Sequence, residues 1–362
     1  MPMSPAQQER RLVLKWGAVI SMNTLLSACG SPGTPAVAGD APVARLMALG
    51  GPMIDLPRAE RGVAALQAQG FHVDNLAVLT RRQSRFAGSI AERAQDLNAL
   101  ADPATPMPAL IIAARGGFGA AQLLAHLDFD HLCPRLRQSG TVLMGYSDNT
   151  AVQLALWAKG QVATVSGPML YGDFAAEPLS AFTMTWLQQA LRTGEYALRV
   201  DAPQAAAPFK TSGTLWGGNL SVLMTLVGTP WMPDVPGGIL FLEDVGEDVY
   251  KVDRMLTQLR QAGILGRQSA VLLGQFSEQR KDGFDPDGYT MAALAQTVSR
   301  QSGVPVLTGL PIGHVRDIVP LPIGGQGELI AGADGFTLNV RGGPALTRLP
   351  AAWAAPDAAA SL

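Results

Sequence analysis

Cysteine is nearly absent from this chain. Its 362 residues include two, Cys29 and Cys133, so no disulfide framework is expected to hold the fold. Histidine is scarce as well: His72, His126, His131 and His314 are the full set. His126, His131 and Cys133 sit close together in the sequence, as metal ligands can. The Asp128-Phe129-Asp130 spacer and the apolar residues around it read instead as a helix end and a loop. No metal is expected there. Positive charge shows no surplus: 27 Lys and Arg stand against 29 Asp and Glu, with a net charge of -2 and a pI of about 6.1. That balance excludes the basic footprint of a nucleic-acid binder. The apolar stretch at residues 16–28 is too short to span a bilayer as a mature helix. What remains is a globular composition, 48% hydrophobic and 15% charged, long enough for two domains.

The start of the chain stands apart from any fold. Arg10-Arg11-Leu12-Val13-Leu14-Lys15 resembles a twin-arginine export signal. Leu26-Ser27-Ala28-Cys29 is similar to the lipobox of bacterial lipoproteins, in which the cysteine is lipidated and becomes the mature N-terminus. A Gly-, Pro- and Ala-rich tether follows, so residues 1–42 read as leader plus tether. The expectation is an exported protein, periplasmic or anchored to the membrane through Cys29. The other reading is a cytoplasmic protein with a frayed extension.

From residue 43 short apolar runs alternate with helical spacing. ALIIA at 109–113, VLM at 142–144 and VATV at 162–165 are strand candidates, with helical patterns at 56–69, 89–101, 120–127 and 151–159. This alternation predicts an α/β fold whose N-terminal domain, residues 43–199, holds a parallel sheet of Rossmann-like or flavodoxin-like type. Residues 200–212, with two prolines and three consecutive alanines, read as a linker. A glycine-rich composition with short strands then predicts a C-terminal α+β, barrel-like domain over 213–345, and residues 346–362 read as a flexible tail.

Four features carry chemistry. Gly145-Tyr146-Ser147-Asp148 lies between a strand and a helix, as a nucleophile elbow does, although Asn149 stands where the second glycine of G-x-S-x-G would be. Ser147 is either a nucleophile or a helix cap, and Asp148 can cap in its place. Arg115-Gly116-Gly117-Phe118-Gly119 is another strand-to-helix turn. It is not a dinucleotide fingerprint, so no cofactor is expected; its backbone N–H groups either approach a ligand or only shape a tight turn. Glu243 and Asp244 end a buried strand, an expensive place for two carboxylates. Asp244, with Glu247, reads as a capping box for the next helix. Glu243 is left either to orient a base or to pair with Arg254. His314 follows Gly313 in a loop after a strand. Ser147, Glu243 and His314 together would supply a nucleophile, an orienting acid and a base. Lying in different halves, they must meet in an interdomain cleft.

Taken together, RFAGSIAERAQDL, ARGGFGAAQLL, GYSDNTAVQLAL, GTLWGGNL, LFLEDVGEDVY and GLPIGH resemble, in order, the LD-carboxypeptidases, also called murein tetrapeptide carboxypeptidases. The resemblance runs from about residue 43 to 343. Many family members carry an A-P-S-G-like segment where this chain has Leu49-Gly50-Gly51-Pro52. The resemblance implies a metal-free serine peptidase that removes the terminal D-alanine of the peptidoglycan tetrapeptide, next to the L-centre of diaminopimelate. It places the catalytic roles on Ser147, Glu243 and His314, and it implies a homodimer. Gly117 and Asp148 then become candidate oxyanion donors through their backbone N–H groups. Arg115 becomes a candidate for the substrate's terminal carboxylate, its other reading being a salt bridge. Trp216 either lines the cleft or packs. Two further readings compete: a related self-immunity hydrolase acting on a peptide-nucleotide antibiotic, and a lipid-anchored solute-binding protein.

Overall fold

The computed structural model describes residues 41–204, 206–279 and 289–353. The leader, with Arg10, Arg11 and Cys29, and residues 354–362 of the tail lie outside the described residues.

Runs of four buried residues at 110–113 and 142–145 leave no solvated face, the pattern of strands covered on both sides. They belong to a parallel sheet made of β1 (Val43–Met47), β2 (His72–Asp74), β3 (Leu110–Ala113), β4 (Val142–Gly145) and β5 (Thr164–Ser166). The order β2-β1-β3-β4-β5 is the flavodoxin-like one, with its switch point between β1 and β3. The loops leaving β1 and β3 meet there: the Gly51 N–H donates to the Gly116 carbonyl at 2.9 Å.

The second sheet is a single row of seven strands. Its members are β6 (Tyr196–Asp201), β7 (Phe209–Asn219), β8 (Ile239–Val245), β9 (Ala270–Ser277) and β10 (Val306–Thr308) and, after β11 (Leu321–Ile323), β12 (Gln326–Gly332) and β13 (Gly335–Arg341). They stand in the order β10-β9-β8-β7-β12-β13-β6. β7 to β10 run parallel and the remaining pairs antiparallel.

The two halves interlock. β6 precedes the expected linker yet forms an edge of the second sheet, while β11, from the later half, pairs antiparallel with β5 in the first. The Tyr196 hydroxyl donates to the Pro320 carbonyl where these two crossings pass. Residues 200–201 and 209–212 of the expected linker are strand, because Val200 and Phe209 fill ladder positions opposite Phe336 and Ala331. The tail also differs from expectation in its first part. Trp353 is 1% exposed, packs edge-on against Phe71 at 5.5 Å and donates from Nε1 to Gln69.

The helix Thr150–Gly160 is buried on every side along residues 150–156, because it is wedged between the sheets and touches β5, β7 and β11. It begins just after Ser147, so whatever fixes this helix fixes the serine.

Candidate active site

Ser147 adopts φ +61° at the end of β4. A non-glycine residue in the left-handed region costs roughly 1 kcal/mol or more, and the turn persists because its surroundings hold it. Asn149, 1% exposed, supplies that hold in place of the missing glycine: its Nδ2 donates to the Tyr146 carbonyl at 3.0 Å and reaches the Arg115 carbonyl at 3.4 Å. The opposing turn gives room. A Cβ on Gly116 would lie 2.9 Å from Ser147 Oγ, so only glycine lets the two turns approach this closely.

Asp148 does not cap the helix after it. Its Oδ2 accepts the Ala120 N–H at 3.0 Å, tying the elbow to the Arg115–Gly119 turn. Burial raises its carboxyl above the usual carboxylate range, against the pull of the Ala120 and Gly119 N–H groups and of Arg93. Arg93 braces the same turn from the other side, donating to the carbonyls of Leu49 (2.7 Å) and Gly119 (3.0 Å) while stacking on Phe86. The helix that presents it starts with a capping box, Ser89 with Glu92. Sequence reasoning had no role for Arg93. The signal was an arginine on the inward face of that helix, where only a paired charge is tolerated.

The two adjacent acids part company at a register shift in β8, between Leu242 and Asp244. Asp244 turns away from the helix Val249–Gln261, whose N-cap is Asp248. It accepts instead from Ser221 N (2.7 Å), Asn219 Nδ2 (2.9 Å), Val245 N (2.9 Å) and Ser221 Oγ (3.2 Å), and so holds the start of the helix Leu220–Met224. Glu243, 1% exposed, does not pair with Arg254; its Oε2 lies 2.9 Å from His314 Nδ1. The loop bearing His314 passes directly over it. Gly313 has φ +124°, and a Cβ there would meet the Gln275 carbonyl at 2.8 Å and Glu243 Cβ at 3.4 Å.

His314 Nε2 then lies 2.9 Å from Ser147 Oγ. A carboxylate only accepts, so Nδ1 carries the imidazole proton and the Nε2 lone pair faces the hydroxyl. Burial alone would lower the imidazole pKa. The hydrogen bond to Glu243 and the charges of Glu243, Asp244 and Asp173 outweigh it, and the net shift is upward. Tyr146 packs edge-on against the ring at 5.1 Å.

The other expected residues divide. Gly117 is exposed, and its N–H is bonded to nothing among the described residues. The Asp148 N–H opens a 3-10 turn, and the carbonyl behind it, Gly145, is already taken by Gln153 and Gly167. Arg115 forms no ion pair among the described residues; its Nη1 donates to the Pro52 carbonyl at 2.7 Å and its guanidinium lies 5.7 Å from the Tyr171 ring centre. Trp216 is not in the cleft. It is 0% exposed and donates to Gln268 at 2.9 Å, because its place in β7 faces the core. Cys133 is buried, and its thiol is pushed up to about 11.

A cavity of about 320 Å³ opens beside His314, lined among others by Tyr146, Asp173, Met184 and Arg316. Asp173 was missed by the sequence reading. It sits in a single wide turn, Leu170–Phe174, whose polar YGD gives no periodic signal.

Fold and site define a hydrolase of the peptidase class, and comparison with known proteins narrows it. The chain belongs to the LD-carboxypeptidase family: residues 45–167 match the family's N-terminal domain and 212–329 its C-terminal domain. It is accordingly a carboxypeptidase. The crystal structure of muramoyltetrapeptide carboxypeptidase from Oxalobacter formigenes superposes with a TM-score of 0.76 at 36% identity, over 83% of this chain and 99% of that one. A Bacillus subtilis strain 168 protein described as a probable murein peptide carboxypeptidase is 28% identical over 76% of this chain and 85% of its own. The microcin C7 self-immunity protein MccF of Escherichia coli is 26% identical over 73% of this chain and 83% of its own.

Proposed function

We propose that this carboxypeptidase releases the terminal D-alanine from the peptidoglycan tetrapeptide through an acyl-enzyme on Ser147. The observation that carries this reading is the unbroken relay from Ser147 Oγ through His314 to Glu243, with both contacts at 2.9 Å. Relatives described as a probable murein peptide carboxypeptidase and as a muramoyltetrapeptide carboxypeptidase support the substrate.

In this mechanism Ser147 Oγ attacks the carbonyl carbon of the scissile amide as its proton passes to His314 Nε2. Glu243 stabilises the imidazolium at Nδ1. The Gly117 and Asp148 N–H groups receive the oxyanion, each such donor being worth about 3 kcal/mol. His314 then protonates the amine of D-alanine, the C–N bond breaks, and water enters by the same steps reversed. Arg115, which opens the Arg115–Gly119 turn and forms no ion pair among the described residues, receives the terminal carboxylate. Arg115→Gln is expected to raise KM about tenfold or more, with kcat less affected, in steady-state kinetics of D-alanine release. An unchanged KM would return Arg115 to a structural role.

The raised imidazole sets the pH dependence. Only neutral His314 can take the serine proton, so kcat/KM falls as pH drops through its pKa, which is raised from the ordinary histidine value. A pH–rate profile is expected to show its acidic limb above that value. A limb at or below it contradicts the role given to Glu243.

A fluorophosphonate probe tests the reading as a whole. Labelling of Ser147 is expected, and a solute-binding protein would not label. The likeness to MccF, solved in complex with glutamyl sulfamoyl guanosine and with aspartyl sulfamoyl adenosine, favours a peptide-nucleotide substrate as second reading, and hydrolysis of an aminoacyl sulfamoyl nucleoside in preference to the tetrapeptide would establish it. The leader motifs support export and lipid attachment at Cys29, which would place the enzyme where the cell wall is remodelled. Loss of palmitate labelling in Cys29→Ser is the expected sign.

A further inference from the structure

The cavity beside His314 is built for opposite charges. Asp173 lies in a turn fixed to the end of β3, where the Tyr171 N–H donates to the Ala114 carbonyl at 3.0 Å. Its Oδ2 accepts the Met169 N–H at 2.8 Å. Its Oδ1 has no partner among the described residues, and neither Asp173 nor Arg316 forms an ion pair there. Arg316, which lines the same cavity, is exposed, and its guanidinium makes one hydrogen bond among the described residues, at 3.3 Å to the Pro178 carbonyl. Tyr146, Ala176 and Met184 add apolar wall to the same cavity. Such a pocket suits a short hydrocarbon chain with a charged end.

We propose that this cavity is the specificity pocket for a substrate side chain ending in an α-amino acid, with Asp173 receiving its ammonium and Arg316 its carboxylate. This rests on the reading of the chain as a tetrapeptide carboxypeptidase. An anionic carboxylate in the lining does not suit the leaving D-alanine, whose only charge there is a carboxylate, so the pocket takes the residue on the acyl side of the cut. Burial lifts the Asp173 carboxyl to about 6, despite the Met169 N–H and nearby His314 and Arg58. A bound ammonium would offset that burial. Asp173 and Arg316 are thus specificity residues, separate from the serine, histidine and glutamate relay.

The test uses three tetrapeptides that differ only in the third residue: meso-diaminopimelate, L-lysine or L-norleucine. Wild-type kcat/KM is expected to fall in that order. Asp173→Asn keeps the acceptor for Met169 and is expected to shrink the lysine-over-norleucine preference about tenfold or more. Arg316→Gln is expected to shrink only the diaminopimelate-over-lysine preference. Asp173→Asn lowering all three substrates equally would show that it acts through His314 and would overturn the proposal. The same peptides are titrated calorimetrically into the Ser147→Ala protein, so that binding is read apart from turnover. If wild type cleaves none of them but their affinities still depend on Asp173 and Arg316, the pocket stands and the assigned reaction fails. Absent binding, or affinities indifferent to both residues, overturns the pocket.

Discussion

Ser147→Ala is expected to abolish D-alanine release, by on the order of 10⁴-fold or more, while tetrapeptide affinity measured by calorimetry stays nearly unchanged. The hydroxyl contributes mainly in the transition state, when Oγ bonds to carbon and His314 holds its proton 2.9 Å away. The variant should fold normally, since alanine suffers the same left-handed strain at φ +61°. A companion, Ser147→Gly, should be equally inactive but more stable than the alanine variant by roughly 1 kcal/mol in chemical denaturation. That pair separates the two properties of the elbow: strain belongs to the backbone, activity to the hydroxyl. Substantial turnover by either variant would remove Ser147 as the nucleophile.

Glu243→Gln is the second large effect. The amide keeps the shape of the side chain but not its charge, and its NH₂ group competes for the wrong side of the imidazole. A loss in kcat of about 10²-fold to 10⁴-fold is expected, with the melting temperature little changed. Asp244→Asn should behave in the opposite way. Asp244 accepts four hydrogen bonds, three of them from the start of Leu220–Met224, so its replacement should cost about 1–3 kcal/mol of stability and leave kcat much closer to wild type. Were Asp244→Asn the catalytic lesion and Glu243→Gln benign, the division of labour at the β8 bulge would be reversed.

How far this arrangement could be read in advance depends on how local each signal is. The GYSD turn was legible because strand, turn and helix follow one another within a dozen residues, and the flavodoxin-like sheet because its strands are buried on both faces and alternate with helices. Glu243 stood out as a second carboxylate at a buried strand end with no helix to cap. The partner of Asp244 was not legible. It lies 23 residues back, at Ser221, and the neighbouring Glu247 offered a nearer capping pattern. Trp216 misled because tryptophan suits clefts and cores alike; its register in β7 decides, and register needs the neighbouring strand. The exchange of β6 and β11 between sheets was hidden for the same reason, since β11 is three residues, Leu321–Ile323, with a proline in the middle. That exchange has a consequence for the site. Each half expressed alone would lack an edge strand of its own sheet, so separated halves should lose structure as well as activity.

The claim on which all of this depends is that Ser147 carries the acyl group of a peptide losing its last residue. Rapid-quench mass spectrometry of wild-type protein with the tetrapeptide measures it directly. The account predicts free D-alanine and tripeptide as products, with a transient protein adduct of tripeptidyl mass whose proteolytic fragment maps to Ser147. A tetrapeptide left intact, or cleaved at the same rate by the Ser147→Ala protein with no adduct, would contradict it.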